Sequence, residues 1–260
     1  MTANRFSDIH WHALVQYLSQ EGLLFLEDYR RDQVERRLWG FLLREGYTDL
    51  SGLVDGLRRD PELGARLKNF LTVHVTEFFR DPPYWQRLAQ KLHASGLASG
   101  RAWSAGCSWG AEPASLWLME RLHGHFWDIW ATDTDVVTLQ QARRLRFPKE
   151  SFSPLLDPYR DMWRWEEDGT WSLSAAAHNA IHWELHDLLA EKPPVRSFDV
   201  VMSRYVLIYF SHEARHRVLE NLVNAIKIGG FLFIGATETL LDAPQFGLKA
   251  VAPALFQRHA

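Results

Sequence analysis

Apolar residues recur at three- and four-residue spacing through the first third of the chain. Leu14, Tyr17 and Leu18 form one stripe, Val34, Leu38, Phe41 and Leu42 a second, and Leu53, Val54 and Leu57 a third. That period turns one helix face toward a core, so residues 7 to about 75 are predicted to be helical. Gly46 and Asp60-Pro61 punctuate the stripes. Asp81-Pro82-Pro83 breaks the chain before a helix predicted at about 84–95. From Arg101 short apolar runs alternate with helical stretches, the pattern of a parallel sheet. Strands are predicted near 101–106, 127–132, 181–186, 198–204 and 230–236, with a last one near 253–258. Helices are predicted near 113–123, 135–145 and 212–227, the last with Ser211 at its N-cap and Gly229 just past its end. Residues 147–180 break the alternation. There Met162-Trp-Arg-Trp165 and Trp171-Ser-Leu173 flank Asp168-Gly169, a strong hairpin signal, so a small antiparallel insert is predicted.

The most informative stretch is Trp103-Ser-Ala-Gly-Cys-Ser-Trp-Gly-Ala-Glu-Pro113, followed by Ile129-Trp-Ala-Thr-Asp133. A strand runs into a glycine loop and a helix, and the next strand ends on a carboxylate. Glycines at 106 and 110 remove side chains where backbone must pass close to a ligand. A carboxylate at that distance can take both hydroxyls of a ribose. The glycine spacing is not G-x-G-x-x-G, which argues against a pyrophosphate cradle. A nucleoside without phosphates fits better, and S-adenosylmethionine is the obvious one. Leu185-His-Asp-Leu-Leu189, Ser203-Arg-Tyr-Val-Leu-Ile-Tyr-Phe210 and Gly235-Ala-Thr-Glu-Thr-Leu240 each follow a predicted strand. That is where open α/β sheets bind ligands.

The chain's 260 residues allow one large domain or two modest ones, and 47% hydrophobic with 23% charged content is that of a globular protein. A net charge of −3 argues against nucleic-acid binding through bulk charge. The single cysteine, Cys107, excludes an internal disulfide and fits a reducing cytoplasm. No uncharged run approaches a membrane span, so neither insertion nor export is expected.

Phe78-Phe-Arg-Asp81, Trp103-Ser-Ala-Gly-Cys-Ser, Glu112-Pro113, Ala131-Thr-Asp133 and Val206-Leu-Ile-Tyr-Phe210 together resemble the chemotaxis receptor methyltransferase (CheR) family. The resemblance covers nearly the whole chain. It implies an α/β fold, a Rossmann-like methyltransferase sheet with helices on both faces and a small antiparallel β insert, preceded by an all-α N-terminal domain. The implied divisions are a helical domain at 1–75, a linker and helix contributing to the cofactor site at 76–100, and a methyltransferase domain at 101–260 with its insert at about 147–180. It implies methyl transfer from S-adenosylmethionine to glutamate side chains of a chemoreceptor, with S-adenosylhomocysteine as product.

Carried over by position, the resemblance places His74, Thr76, Arg80, Gly106, Glu112, Asp133, Asp187, Leu188, Arg204 and Tyr205 around the cofactor, and makes Arg80 and Tyr209 the catalytic pair. Thr76 and Arg80 would stand beside the methionine end, Glu112 would pair with the α-amino group and Asp133 would hold the ribose. Asp187 and Leu188 would read adenine, and Arg204 and Tyr209 would line the acceptor side. A carboxylate acceptor is ionised at pH 7, with a pKa near ~4.3, so no general base is needed. The task is positioning, for which Arg80 and the Tyr209 hydroxyl are suited, with Phe78, Phe79 and Phe210 as apolar walls. The chain departs from the family at His74, Tyr205 and Asp187, where Asn is usual, at Val75, where a polar residue is usual, and at Trp109, where a small Thr is usual.

Arg30, Arg37 and Arg44 recur every seven residues along a helix predicted to begin near Leu26. In the family this region faces the acidic methylation helices of the receptor. Alternatively it is a solvated face with ordinary pairs Asp32–Arg36 and Glu27–Arg31. In the family the insert can also bind a receptor tail peptide by strand addition, although its tryptophans equally suit packing.

Two further patterns compete. His212-Glu-Ala-Arg-His216 spells a zinc-peptidase motif with Glu238 as a third ligand, but it falls in the first turns of a helix. His178, His182 and His186 fall on or beside a predicted strand, where four residues span about 13 Å, too far to share an ion. No metal is expected. Cys107, Trp117 and Met119 read as packing. The alternative functions are a catalytically weak cofactor-binding regulator of the same fold and, more remotely, a zinc peptidase through His212 and His216.

Overall fold

The structure, a computed structural model, describes residues 5–72, 76–195 and 197–259. The chain divides into two compact units, residues 1–73 with 209–216, and residues 74–208 with 217–260.

The first unit is helical. Helix α1 (Asp8–Gln20) starts where the Ser7 hydroxyl accepts the His10 N–H. α2 (Arg31–Glu45) stops at Gly46, whose φ of 78° suits a residue without a Cβ. α3 (Leu50–Arg59) is capped by Asp49 accepting from Gly52, and α4 (Pro61–Leu71) by Asp60, with Pro61 in the first turn. Leu14, Leu18, Leu38, Phe41, Leu42, Leu53 and Leu67 are fully buried together, so the periodic stripes do form the core. The predicted start of α2 is wrong. A 3-10 turn occupies Leu26–Asp28, and Arg30 is the N-cap rather than a helical residue. Residues 209–216 join this unit through backbone bonds. The Arg30 N–H donates to the Tyr209 carbonyl at 2.9 Å and the Ser211 N–H to the Asp28 carbonyl at 2.8 Å.

The second unit begins with α5 (Pro82–Ala94), β1 (Ser99–Ala105), α6 (Ala111–Leu122), β2 (Phe126–Asp133) and α7 (Val136–Ala142). The insert follows as β3 (Arg146–Pro148), β4 (Trp163–Trp165) and β5 (Thr170–Leu173). Then come α8 (Ala175–Ala180), β6 (Ile181–Leu185), β7 (Phe198–Ser203), α9 (His212–Ala225), β8 (Ile226–Ile234), β9 (Leu248–Ala252) and β10 (Leu255–Arg258). Seven strands form one sheet in the order β6-β2-β1-β7-β8-β10-β9. All its pairings are parallel up to β8, and β10 is antiparallel to both β8 and β9. The order runs outward from β1 in both directions, so β1 and β7 flank a switch point. In open α/β sheets ligands bind outside the carboxyl ends of the strands at such a point.

The insert is the predicted hairpin with a third strand: β3-β5-β4, all antiparallel, with Gly169 at φ 79° in the turn. Several elements differ from the sequence reading. α9 ends at Ala225 and passes directly into β8, so Gly229 lies within a strand. Its φ of 84° accompanies a register shift between β7 and β8, a bulge rather than a helix stop. β9, β3 and the short α8 were not foreseen. No helix among the described residues is long and apolar enough to cross a membrane.

Candidate functional site

The loop after β1 is held from below by the end of β2. The Gly106 and Cys107 N–H groups both donate to the Thr132 carbonyl at 2.9 Å, and the Trp103 indole N–H donates to the Thr132 hydroxyl at 2.9 Å. Gly106 and Gly110 have φ of 86° and 91°. A Cβ at Gly106 would lie 2.6 Å from Val206, and one at Gly110 would lie 2.8 Å from the Trp183 ring. Protein neighbours alone therefore leave no room for a side chain at either glycine, whose positive φ also favours a residue without a Cβ.

Asp133 ends β2 with both carboxylate oxygens engaged. One accepts the Ser108 N–H at 2.8 Å and the other the Asp135 N–H at 3.0 Å. Glu112 sits buried in the first turn of α6 and accepts from the Ser104 hydroxyl at 2.6 Å. Burial pushes its carboxyl up. Arg204, the Ser104 hydrogen bond and Arg80 pull it down, while Glu238 adds to the rise. Cys107 is buried beside both acids. Burial first, then Asp133 and Glu112, hold its thiol well above the ordinary range.

A second group gathers around Asp81. This residue occupies the N-cap of α5 in a left-handed conformation, φ 58°, yet its side chain does not cap that helix. It turns away to accept from Arg204 at 2.7 Å and from the Tyr205 hydroxyl at 2.6 Å. The same Arg204 nitrogen donates to the Arg80 carbonyl at 2.6 Å. Burial lowers the Arg204 pKa, and Glu112 and Asp81 oppose that shift. Tyr205 is also left-handed, φ 60°, and its N–H donates to Glu238 at 2.8 Å. The Gly235 N–H also donates to Glu238, at 2.6 Å, so this carboxylate ties the β7 loop to the β8 loop. The Arg80 guanidinium lies 3.7 Å from the centre of the Tyr205 ring, a close cation–π contact.

Among the sequence-predicted residues, Arg80, Arg204 and Tyr205 are linked by these contacts, Glu112 feels the charges of Arg204 and Arg80, Gly106 lies in the loop after β1, and Asp133 ends β2. Asp187 follows β6 with one oxygen on the Leu189 N–H at 2.9 Å, and Leu188 beside it is buried. Thr76 is half-buried. His74 and Val75 lie outside the described residues. Tyr209 and Phe210 belong to the helical unit, where Phe210 packs on Tyr29 with ring centres 5.5 Å apart. Phe78 packs edge-on against Trp109, Phe147 and Trp163, and Phe79 stacks on Tyr159, so both side chains are buried among aromatic neighbours. Trp109 is absorbed in the same aromatic cluster.

Asp81, Ser104 and the clamping role of Glu238 were missed. Asp81 stood within a quoted motif, but its partners are more than a hundred positions away. Glu238 was weighed as a zinc ligand and as part of the loop after the fifth predicted strand, whereas its Oε2 is committed to backbone N–H groups. His178 lies on α8. His182 and His186 face different acids, Asp128 at 3.9 Å and Glu191 at 3.2 Å.

Residues 74–251 match the family described as CheR methyltransferase, SAM binding domain, and residues 9–72 match CheR methyltransferase, all-alpha domain. A chemotaxis protein methyltransferase of Listeria monocytogenes is 30% identical over 229 residues, covering 86% of this chain and 87% of that protein. A chemotaxis protein methyltransferase of Escherichia coli is 29% identical over 245 residues, covering 89% and 85%. A solved TehB-like SAM-dependent methyltransferase from Corynebacterium glutamicum is 14% identical, with a TM-score of 0.40 over 68% of this chain and 94% of that one.

Proposed function

This chain belongs to the CheR methyltransferase family, and from that membership we propose that it methylates glutamate side chains of a chemoreceptor-type protein, leaving γ-methyl esters. Its sheet unit is the family's S-adenosylmethionine-binding domain, so methyl transfer from that molecule is the reaction class. The residues at the switch point suit such a ligand. Glu112 is a buried acid whose ionised form lacks a full counter-charge, the place a cationic amino group would fill. Asp133 is fixed by two backbone N–H groups, and a carboxylate has lone pairs beyond those two for a pair of ribose hydroxyls. Asp187 keeps one oxygen for an exocyclic amine, beside the apolar Leu188. When bound, the methyl sulfonium supplies an electrophilic methyl group.

The chain's own residues then have to hold a carboxylate in line, since an ionised glutamate needs no deprotonation. Arg80 is the holder in this reading: its guanidinium can accept a carboxylate on its planar fork. Arg204 acts through it. By bonding the Arg80 carbonyl and Asp81, Arg204 fixes the left-handed backbone around Arg80 and is a positioning residue rather than an acceptor-side contact. Tyr205 supports the Arg80 guanidinium from below with its ring. Each ester removes one negative charge from a receptor helix, a change that biases a signalling equilibrium.

Receptor docking by the helical unit is narrowed to fewer arginines than the seven-residue spacing implied. Arg36 and Arg44 are exposed on α2. Arg37 instead turns inward and donates to the carbonyls of Phe70 and Thr72. Arg30 pairs with Asp32 at 3.0 Å.

The observation that supports this reading most is the pair of fixed carboxylates, Glu112 and Asp133, on either side of the switch-point loop. Incubation with labelled S-adenosylmethionine and a receptor cytoplasmic fragment should give base-labile label released as methanol. Arg80→Ala should lower transfer about 100-fold or more while leaving the unfolding midpoint nearly unchanged. Absence of methanol-releasing label, with S-adenosylhomocysteine still bound, would reject the glutamate ester assignment.

A further inference from the structure

Away from the switch point, three side chains converge at the other end of the strands. His93 lies in the last turn of α5, Glu120 in the last turn of α6, and His125 just before β2 begins. One potential ligand atom from each lies within 4.8 Å of the others. His123 follows Glu120 by three positions, and its ring centre is 4.3 Å from that of His93 and 6.0 Å from that of His125. The backbone fixes this turn: the Glu120 carbonyl accepts the N–H groups of His123 and His125 at 3.1 and 3.0 Å.

The polar atoms are poorly satisfied as they stand. The Glu120 side chain is 1% exposed, and its Oε1 has no hydrogen-bond partner. His93 Nε2 is also buried without one, and stands 4.0 Å from that same oxygen. Only the second oxygen, Oε2, is engaged, with His125 Nδ1 at 2.8 Å. A buried carboxylate oxygen without a donor is costly, and an ion seated between Glu120 Oε1 and His93 Nε2 would satisfy both atoms.

We propose that His93, Glu120 and His125 form a binding site for a zinc-class divalent ion, with His123 or water completing the coordination. Two imidazoles and a carboxylate suit zinc, cobalt or nickel, whereas calcium and magnesium require oxygen ligands throughout. Tetrahedral nitrogen and oxygen ligands at about 2.0–2.2 Å stand about 3.3 Å apart. The present separations are 2.8 and 4.0 Å to the two Glu120 oxygens and up to 4.8 Å among one ligand atom from each residue, so side-chain adjustments of roughly an ångström or more complete the site. The ion would join the end of α5 to the end of α6 and the start of β2. It lies at the amino ends of the strands, opposite the candidate methyl-transfer site, so its role is structural.

The test uses the full chain after chelator treatment, titrated with Zn²⁺ alone by calorimetry, and with Co²⁺ followed by visible absorption. The expected result is one equivalent bound, a raised thermal midpoint, and tetrahedral cobalt bands. His93→Asn and His125→Asn should each weaken Zn²⁺ binding at least about tenfold. His93 is a third exposed, so its replacement tests the site even where Glu120→Gln fails to fold. The double variant His212→Asn, His216→Asn should retain binding. Zn²⁺ affinity weaker than about 100 µM, or binding unaltered by both His93→Asn and His125→Asn, or lost only in the His212 and His216 variant, would overturn the assignment.

Discussion

The two units of this chain obey local rules to very different degrees. The helical unit follows them: side-chain caps at Ser7, Asp49 and Asp60, glycine at the end of α2, and apolar stripes turned inward. Among the described residues it contains no non-glycine residue with positive φ. All seven lie in the sheet unit, and three of them, Asp81, Ser108 and Tyr205, belong to the candidate site. Each such residue costs on the order of 1 kcal/mol or more. Buried polar atoms without partners divide the same way. Arg37 Nε is in the helical unit, while Ser108 Oγ, Ser203 Oγ, Arg204 Nε and Glu238 Oε1 crowd the sheet's switch point. One unit follows local rules throughout, and the other holds an unfavourable backbone in place around the candidate site.

That contrast can be broken experimentally. The largest expected loss is from Arg204→Met, which strips Asp81 and the Arg80 carbonyl of a buried donor. It should destabilise the sheet unit by about 3–5 kcal/mol in urea unfolding, and a loss under 1 kcal/mol would mean that the strained loop holds itself. Leu38→Ala should cost about 3 kcal/mol through a cavity in the helical core. Its affinity for S-adenosylhomocysteine should stay within about twofold, and a larger change would show that the helical unit shapes the ligand site. Asp133→Ala should weaken that affinity about 100-fold by calorimetry, or about 2.7 kcal/mol, with the fold retained.

A smaller effect is expected with pH. Glu112 titrates above its ordinary value of 4.5 because it is buried. As pH falls through its raised titration range the acid is neutralised and its attraction for an amino group is lost. Affinity for S-adenosylhomocysteine should therefore drop with pH, and Glu112→Gln should flatten the profile. The unliganded protein behaves oppositely, losing stability as pH rises through the same range, because its folded form holds the proton more tightly than the unfolded chain. The least effect is expected from Asp49→Ala, about 1 kcal/mol of helix-cap stability with no change in transfer.

Much of this organisation was legible before the coordinates. The helical stripes, the strands β1, β2, β6 and β7, the Asp168-Gly169 hairpin and the placement of Glu112 and Asp133 all follow from local signals. Their causes are within a few residues, so sequence alone carries them. β9 was not legible, because Leu248-Lys-Ala-Val-Ala252 is short and weakly apolar and is made a strand by pairing with β10. The early start of β8 was hidden because Gly229 reads as a helix stop, and only pairing with β7 makes it a bulge. The pairs Asp32–Arg36 and Glu27–Arg31 do not form: Arg31 instead bonds Glu35 and Asp8, each at 2.7 Å, and Arg30 takes Asp32. Glu27 precedes the helix, so helical spacing did not apply to it. The Asp81–Arg204–Tyr205 group joins residues 123 and 124 positions apart, a link that no local pattern encodes.

The burial of Cys107 also supplies a clock. As the chain's lone thiol, enclosed between two acids and held in its protonated form, it can be alkylated only during excursions that expose it. The rate of its modification would count how often the turn after β1 comes apart, and a nucleoside lodged against that turn should make the count fall.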